Sequence, residues 1–380
     1  MKRPYVSRLF AVVMGLMVVL VLASAVSFGV NKSPHDTSGT VTDTSGTVTT
    51  VASTVPANGD VNPYGVVHIT QSVGNLQAGN ILVSNFNNIS NLQGTGSTIV
   101  QISPSGTQTL FAQINADTLP GPCPGGIGLT TALAVFKTGW VIVGSLPTTD
   151  GTAATAQAGC LVVLNSQGQA VETFSGEPIN GPWDMTGYEA NGLGYLFFTN
   201  VLNGTVKGGG QIRHDGTVVR MVVTDTSSTP SVVSTTVIGS KFEERTDPAA
   251  LVIGPTGVAL DSVNDILYVN DSLTNRVQAI DEALVRTTSD LTGVTVSSAG
   301  FLNDPLGLTL GDNGNLLAVN GNDGNIIEIT PAGAQVFHQL IDNTGCPPGA
   351  GALFGLTEPK GAGVYFVDDA SNTLNLLRFH

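Results

Sequence analysis

Six times along the chain an apolar run of about five residues ends in Asn, Asp or Gly, and this recurrence constrains the fold more than any other feature. The copies are Asn80–Asn85, Trp140–Gly144, Tyr195–Asn200, Ile266–Asp271, Leu316–Asn320 and Val364–Asp368. Before each run lies a shorter segment that opens with a small residue and an aliphatic one: Gly65-Val66, Ala132-Leu133, Gly257-Val258, Gly307-Leu308 and Gly355-Leu356. The third copy has Asp184-Met185 in that place. After the runs come third segments such as Thr98–Ile102 and Asn325–Ile329, then turns containing Pro104-Ser105-Gly106 or Pro331-Ala332-Gly333. A period of about 50 to 70 residues, with β-branched segments between Gly-rich breaks, is the signature of a repeated four-stranded sheet.

Sheets repeated at that period close radially, and six of them predict an all-β, six-bladed propeller over residues 57–380. The small residue opening each first segment fits, because innermost strands crowd at the axis and leave little room for a Cβ. The sixth copy stops at Leu374–His380, its third strand. Its missing fourth strand is expected from the segment around Thr47–Val55, which would join the two chain ends in one blade and remove an unpaired edge. The strings Ile99–Gly106 and Asp304–Leu310 resemble NHL-type propeller repeats. That resemblance covers about residues 60–380 and implies a fold that hosts enzymes, receptors and scaffolds alike.

Residues 1–30 read as a targeting segment. Lys2, Arg3 and Arg8 precede an apolar stretch from Leu9 to Leu22, and Ala23-Ser24-Ala25 supplies a signal-peptidase pattern. The apolar character resumes through Val30, so a retained membrane anchor is the alternative to cleavage. Either way the rest of the chain is exported, to the periplasm, the cell surface or the medium. Residues 31–56 are a Thr/Ser-rich linker containing the tandem heptapeptide Asp36–Thr42 and Asp43–Thr49.

Charge narrows the partners. The net charge is −14, and losing Lys2, Arg3 and Arg8 takes it to −17. A chain so acidic, without a basic stripe, repels phosphate backbones, so no nucleic-acid partner is expected. Contact with a membrane is expected only through the N-terminal segment, and a monomer is expected.

No catalytic or metal constellation stands out. Among similar propellers, the calcium-dependent gluconolactonase and paraoxonase group implies an Asn ligand just before the Gly that opens an inner strand. The matching positions here are Tyr64, Thr131, Trp183, Thr256, Leu306 and Phe354, none of them a carboxylate or carboxamide. The zinc-dependent amidating lyases imply His ligands, whereas His68, His214, His338 and His380 are scattered through different repeat positions. No cofactor is therefore called for, with a structural calcium at the Asn320–Asn325 loop as the alternative to a plain Gly/Asn connection.

Asp184 is the weak catalytic candidate, since it stands where other copies have Gly or Ala and should point at the channel. The competing reading is a buried carboxylate held by backbone N–H groups. Read as a surface, Tyr64, Trp183, Phe354, Leu306, Thr131 and Thr256 form an aromatic-lined channel mouth. Such a mouth suits a small molecule, a glycan, a peptide or a protein partner, or else the rings plug the channel. Cys123 and Cys160 are the preferred disulfide, with Cys123–Cys346 across the mouth as the alternative. The leading expectation is a binding or scaffold module, and the alternative is a lactonase-like hydrolase or lyase acting at the central channel.

Overall fold

The computed structural model describes residues 45–380; the expected targeting helix and the first part of the linker lie outside them. The described chain is a six-bladed, all-β propeller. Its inner strands are Val61–His68, Leu129–Val135, Gly181–Ala190, Pro255–Asp261, Pro305–Leu310 and Leu353–Thr357, and each blade is an antiparallel meander outward from one of them. The sixth blade is composite. Its outermost strand, Gly46–Ser53, pairs antiparallel with Thr373–Phe379, from Gly46 opposite Phe379 to Ser53 opposite Thr373.

The inner strands pack so closely that their carbonyls replace side chains as neighbours. A Cβ on Gly307 would run into the carbonyl of Phe354, and one on Gly355 into that of Tyr64. Blade three departs from this rule. There Asp184 reaches across to the backbone N–H of Val258 at 3.0 Å, and Thr199 donates to the Thr256 carbonyl at 2.9 Å. Side-chain hydrogen bonds thus tie blades three and four at this point of the axis.

The recurring Asn at the end of the second strand has a similar explanation. Asn270 donates from Nδ2 to the carbonyls of Leu306 and Gly307 in the next blade, and Asn85 donates to the Thr54 carbonyl. A buried amide can satisfy two backbone groups at once where strands diverge, which an aliphatic residue cannot. Between blades the aliphatic faces of adjacent sheets interlock. Leu82, Ile99, Leu133, Val143 and Val162, for instance, share one buried cluster between blades one and two.

Blade three is also longer than the repeat predicts. Its fourth strand, Val232–Asp247, runs 16 residues and folds back on a short fifth strand, Leu251–Ile253. That extra hairpin brings Leu251 and Val252 into the apolar cluster of the mouth. It also carries Arg245 and Asp247 to the cavity described below.

Cys123, in the loop entering the second blade, is bonded to Cys160, just before that blade's third strand, with Cα atoms 5.1 Å apart. Cys346 is an exposed thiol. The bond closes a 37-residue separation, so replacing both cysteines by Ser should cost about 3 kcal/mol through a looser unfolded chain. A thermal melt measures this. Thiol titration of the denatured, unreduced protein should find one reactive group, and three would refute the pairing.

Candidate functional site

All six mouth positions are buried, and four of them, Tyr64, Trp183, Leu306 and Phe354, form one layer across the propeller axis. Tyr64 is the centre of it. Its ring stacks on Phe354 at 3.8 Å and on Phe86 at 4.5 Å, while Trp183 meets it edge-on at 5.9 Å. Offset stacks and T-shaped contacts of this kind hold rings more firmly than their area alone. Trp183, Leu306 and Phe354, with Thr131, Thr256 and Asp184, leave a void of only about 10 Å³ between them, about the least that holds one water. The layer therefore closes the channel. A calcium at the Asn-Gly-Leu position of the lactonase group does not fit, because apolar rings and threonines occupy it.

Above the layer is a cavity of about 640 Å³, with Tyr64, Trp183, Leu306 and Phe354 as its floor. Thr131 and Thr256 lie beneath that floor. Thr256 spends its hydroxyl on the carbonyls of Pro305 and Leu306. Thr131 faces the central channel on the far side, a blind space of about 230 Å³.

The cavity walls are polar, and several of their atoms lack partners. Asn62 and Asn87, only 5% and 2% exposed, each have a buried Oδ1 that accepts nothing. Gln93 Oε1 and Asp304 Oδ1 are in the same state. Buried polar atoms left unpaired cost about 1–3 kcal/mol each, and these four have no surface open to the cavity.

Three carboxyls line the cavity: Asp247, Asp304 and Asp369. Asp247 is held below the usual carboxylate range despite its burial, by the N–H groups of Ala249 and Ala250 and by Arg245, 2.9 Å away. Burial raises Asp304 to about 6; the Ser272 hydroxyl opposes this, and the charge of Asp247 adds to it. Burial also raises Asp369 to about 7, helped by the adjacent Asp368. Deep burial carries the Tyr64 phenol well above its normal value, with Asp369 contributing.

Asn62, Asn87, Gln93, Asp247, Asp304 and Asp369 were not singled out as site residues by the repeat pattern. Asp369 had a partial signal: it follows the terminal residue of the second strand, where other copies place Phe86, Ser145, Val201 and Gly321, and only Asp271 is also acidic. Asp304 and Asn62 carry a second one in their backbones, with φ of 58° and 61°. That left-handed conformation is uncommon outside Gly, and Asn and Asp are the side chains that tolerate it best. Arg245 and Asp247 arrive on the blade-three hairpin and had no repeat position to be compared with.

Asp184 sits below the floor, facing the blind channel, and among the described residues is the only ionisable side chain lining it. The strand pairing shifts register between Pro182 and Met185, which turns the Asp184 carboxylate towards Val258. Burial raises it to about 7, with the backbone N–H groups of Met185 and Val258 pulling the other way. The Asn320–Asn325 loop uses its carboxylate internally: Asp323 accepts from Asn320, Asn303 and the Asn325 N–H. Among the described residues no three His, Cys, Asp or Glu side chains converge as a metal site.

No protein-family model matches the chain, and no curated protein matches its sequence. Solved structures do match in shape. A gluconolactonase from Xanthomonas campestris is 14% identical, with 88% of this chain and 90% of that one covered and a TM-score of 0.52. A luciferin-regenerating enzyme is 11% identical over 87% and 95%, with a TM-score of 0.50. A virginiamycin B lyase from Staphylococcus aureus is 17% identical over 88% of each chain, with a TM-score of 0.49. At such identities the chain shares with these proteins the propeller fold, and that alone.

Proposed function

We propose that this chain is an exported binding module whose ligand, a small molecule, seats in the mouth cavity on the closed aromatic layer. The observation that carries the reading is a cavity of about 640 Å³ with an apolar, aromatic floor and polar walls. A cavity of that size is typical of small-molecule sites, and its few oriented polar groups on an apolar floor are the usual arrangement. Export is supported by the Cys123–Cys160 disulfide, since such bonds persist in oxidising compartments. The acidic charge of −14 leaves nucleic acid outside the expected ligands.

A thermal-shift screen of small molecules on the full chain tests the reading. A ligand at a hundred times its Kd should add about 2.7 kcal/mol of stability. Asn322 lines the cavity and is exposed, so Asn322→Trp should block entry while leaving the unliganded melt unchanged. Hits that stabilise the variant equally would place binding elsewhere and sink the proposal.

One observation favours a second reading, a hydrolase. Asp304 and Asp369 are held at about 6 and about 7, within the range that suits a general acid or base near neutral pH. Gluconolactonases of like fold make aldonolactones the first substrates to try. Turnover abolished by both Asp304→Asn and Asp369→Asn would favour it over the binding module. No turnover across a lactone panel would remove it.

A further inference from the structure

We infer that the molecule taken up by the mouth cavity is neutral and carries an amide group, seated with its carbonyl oxygen on donors of the aromatic floor and its N–H towards the Asp369 carboxyl. The inference rests on the binding reading above and names its ligand class.

The floor is apolar in its rings and donating at their polar ends. Tyr64 Oη, Trp183 Nε1 and Asn62 Nδ2 line the cavity, and none of the three has a hydrogen-bond partner among the described residues. Their side chains are neighbours. The Tyr64 and Trp183 rings lie 5.9 Å apart, and Asn62 precedes Tyr64 by two residues on the same inner strand. Burial holds the phenol well above its normal value, so Tyr64 Oη stays a donor over the whole physiological range. The polar ends of buried Tyr and Trp ordinarily find a partner. Three unpaired donors at one part of the floor therefore call for an acceptor on the occupant, and a carbonyl oxygen, with two lone pairs, can satisfy two of them.

Charge and the remaining acceptor narrow the group further. Arg245 lines the cavity with Asp247 as its ion-pair partner, whereas Asp304 and Asp369 line the same space without a cation. A carboxylate or phosphate on the occupant would meet like charge on those walls, so the acceptor is a neutral oxygen. Asp369 stands within electrostatic reach of the Tyr64 phenol, and no donor reaches its carboxyl among the described residues. It lacks an N–H or O–H. An amide brings a carbonyl for the floor donors and an N–H for Asp369 in one planar group, whereas an ammonium has only donors to set against a floor that already donates.

Four probes built on one sugar ring separate the possibilities: N-acetylglucosamine (amide), glucose (hydroxyl), glucosamine (ammonium) and glucuronate (carboxylate), each titrated calorimetrically into the full chain. N-acetylglucosamine should bind at least about 10-fold tighter than glucose, the effect of two added hydrogen bonds. Glucosamine should show no such gain, and glucuronate should bind more weakly than glucose. Tyr64→Phe keeps the ring stack and removes only the unpaired hydroxyl. It should weaken N-acetylglucosamine about 5-fold, change glucose little and leave the melting temperature no lower. Asp369→Leu, which removes the acceptor for the N–H, should have the same pattern. Glucose, glucosamine or glucuronate binding as tightly as N-acetylglucosamine would overturn the inferred class while leaving the cavity a binding site. So would a Tyr64→Phe variant that binds N-acetylglucosamine unchanged. If none of the four binds at millimolar concentration the class is wrong, and the small-molecule screen decides separately whether the module reading survives.

Discussion

A chain lacking residues 45–56 is expected to melt roughly 10 °C lower or more, and to lose its single cooperative transition. The segment supplies a whole strand. Seven of its residues are paired with partners between Thr373 and Phe379, and each ladder hydrogen bond contributes about 1 kcal/mol net. Val48 packs against the cluster between blades five and six, and Val51 and Ala52 against the mouth cluster. Beyond the strand, Thr54 is fully buried, donates from its N–H and its hydroxyl to the Asn372 carbonyl, and accepts at its own carbonyl from Asn85 of the first blade. The strand is also fastened sideways: Gln339 of the fifth blade both accepts from the Gly46 N–H at 2.7 Å and donates to its carbonyl at 2.8 Å.

Together these contacts amount to a large part of the about 5–15 kcal/mol by which domains are usually stable. Removing them leaves Thr373–Phe379 as a bare edge, which invites pairing with another copy. Calorimetry and size-exclusion chromatography read both effects. A synthetic peptide of residues 45–56 added in trans should restore the melt, and a scrambled peptide should not. A truncated chain that melts within about 2 °C of the full one would mean that the propeller closes without this strand.

How far the chain could be read in advance follows from which constraints are local. The second strands were legible because burial on both faces forces a continuous apolar run, and the terminal Asn because diverging blades leave carbonyls to satisfy. Gly307 and Gly355 were legible because only a missing Cβ allows the contact they make. The aromatic layer was also visible as composition at equivalent positions. Whether its rings line the channel or plug it stayed open in the sequence, since ring stacking depends on how three different blades meet. The same limit hid the cavity. Asn62, Asn87, Asp304 and Asp369 come from three blades and share no motif; what unites them is burial beside the same space. The hairpin at Leu251–Ile253 falls between repeats, so Arg245, which it brings to the cavity, could not be placed by analogy.

Asp184→Asn is expected to raise stability at neutral and alkaline pH and to flatten its pH dependence. In the folded protein burial raises this carboxyl from 3.8 to about 7. The folded state therefore holds a proton more tightly than the unfolded chain does. Its stabilising contribution is complete below the unfolded value near 3.8 and is lost as pH rises through about 7. A shift of that size corresponds to about 4 kcal/mol lost between pH 4 and pH 8. Glu244 and Asp369, also raised to about 7 by burial, and Asp304, raised to about 6, act in the same direction, so the wild-type melting temperature should fall steadily over that range. The Asn variant keeps an oxygen for the Val258 N–H and cannot ionise, so it should lose about a quarter of the slope. An unaltered slope would mean that Asp184 is not buried as a neutral acid. Asp184→Ala separates the two roles of the side chain: it also abolishes ionisation, but it leaves the Val258 N–H without its acceptor. That variant should be less stable than the Asn form by about 1–3 kcal/mol at every pH. The carboxyl would then be retained for the bridge it makes between blades three and four, with its sensitivity to pH as the cost.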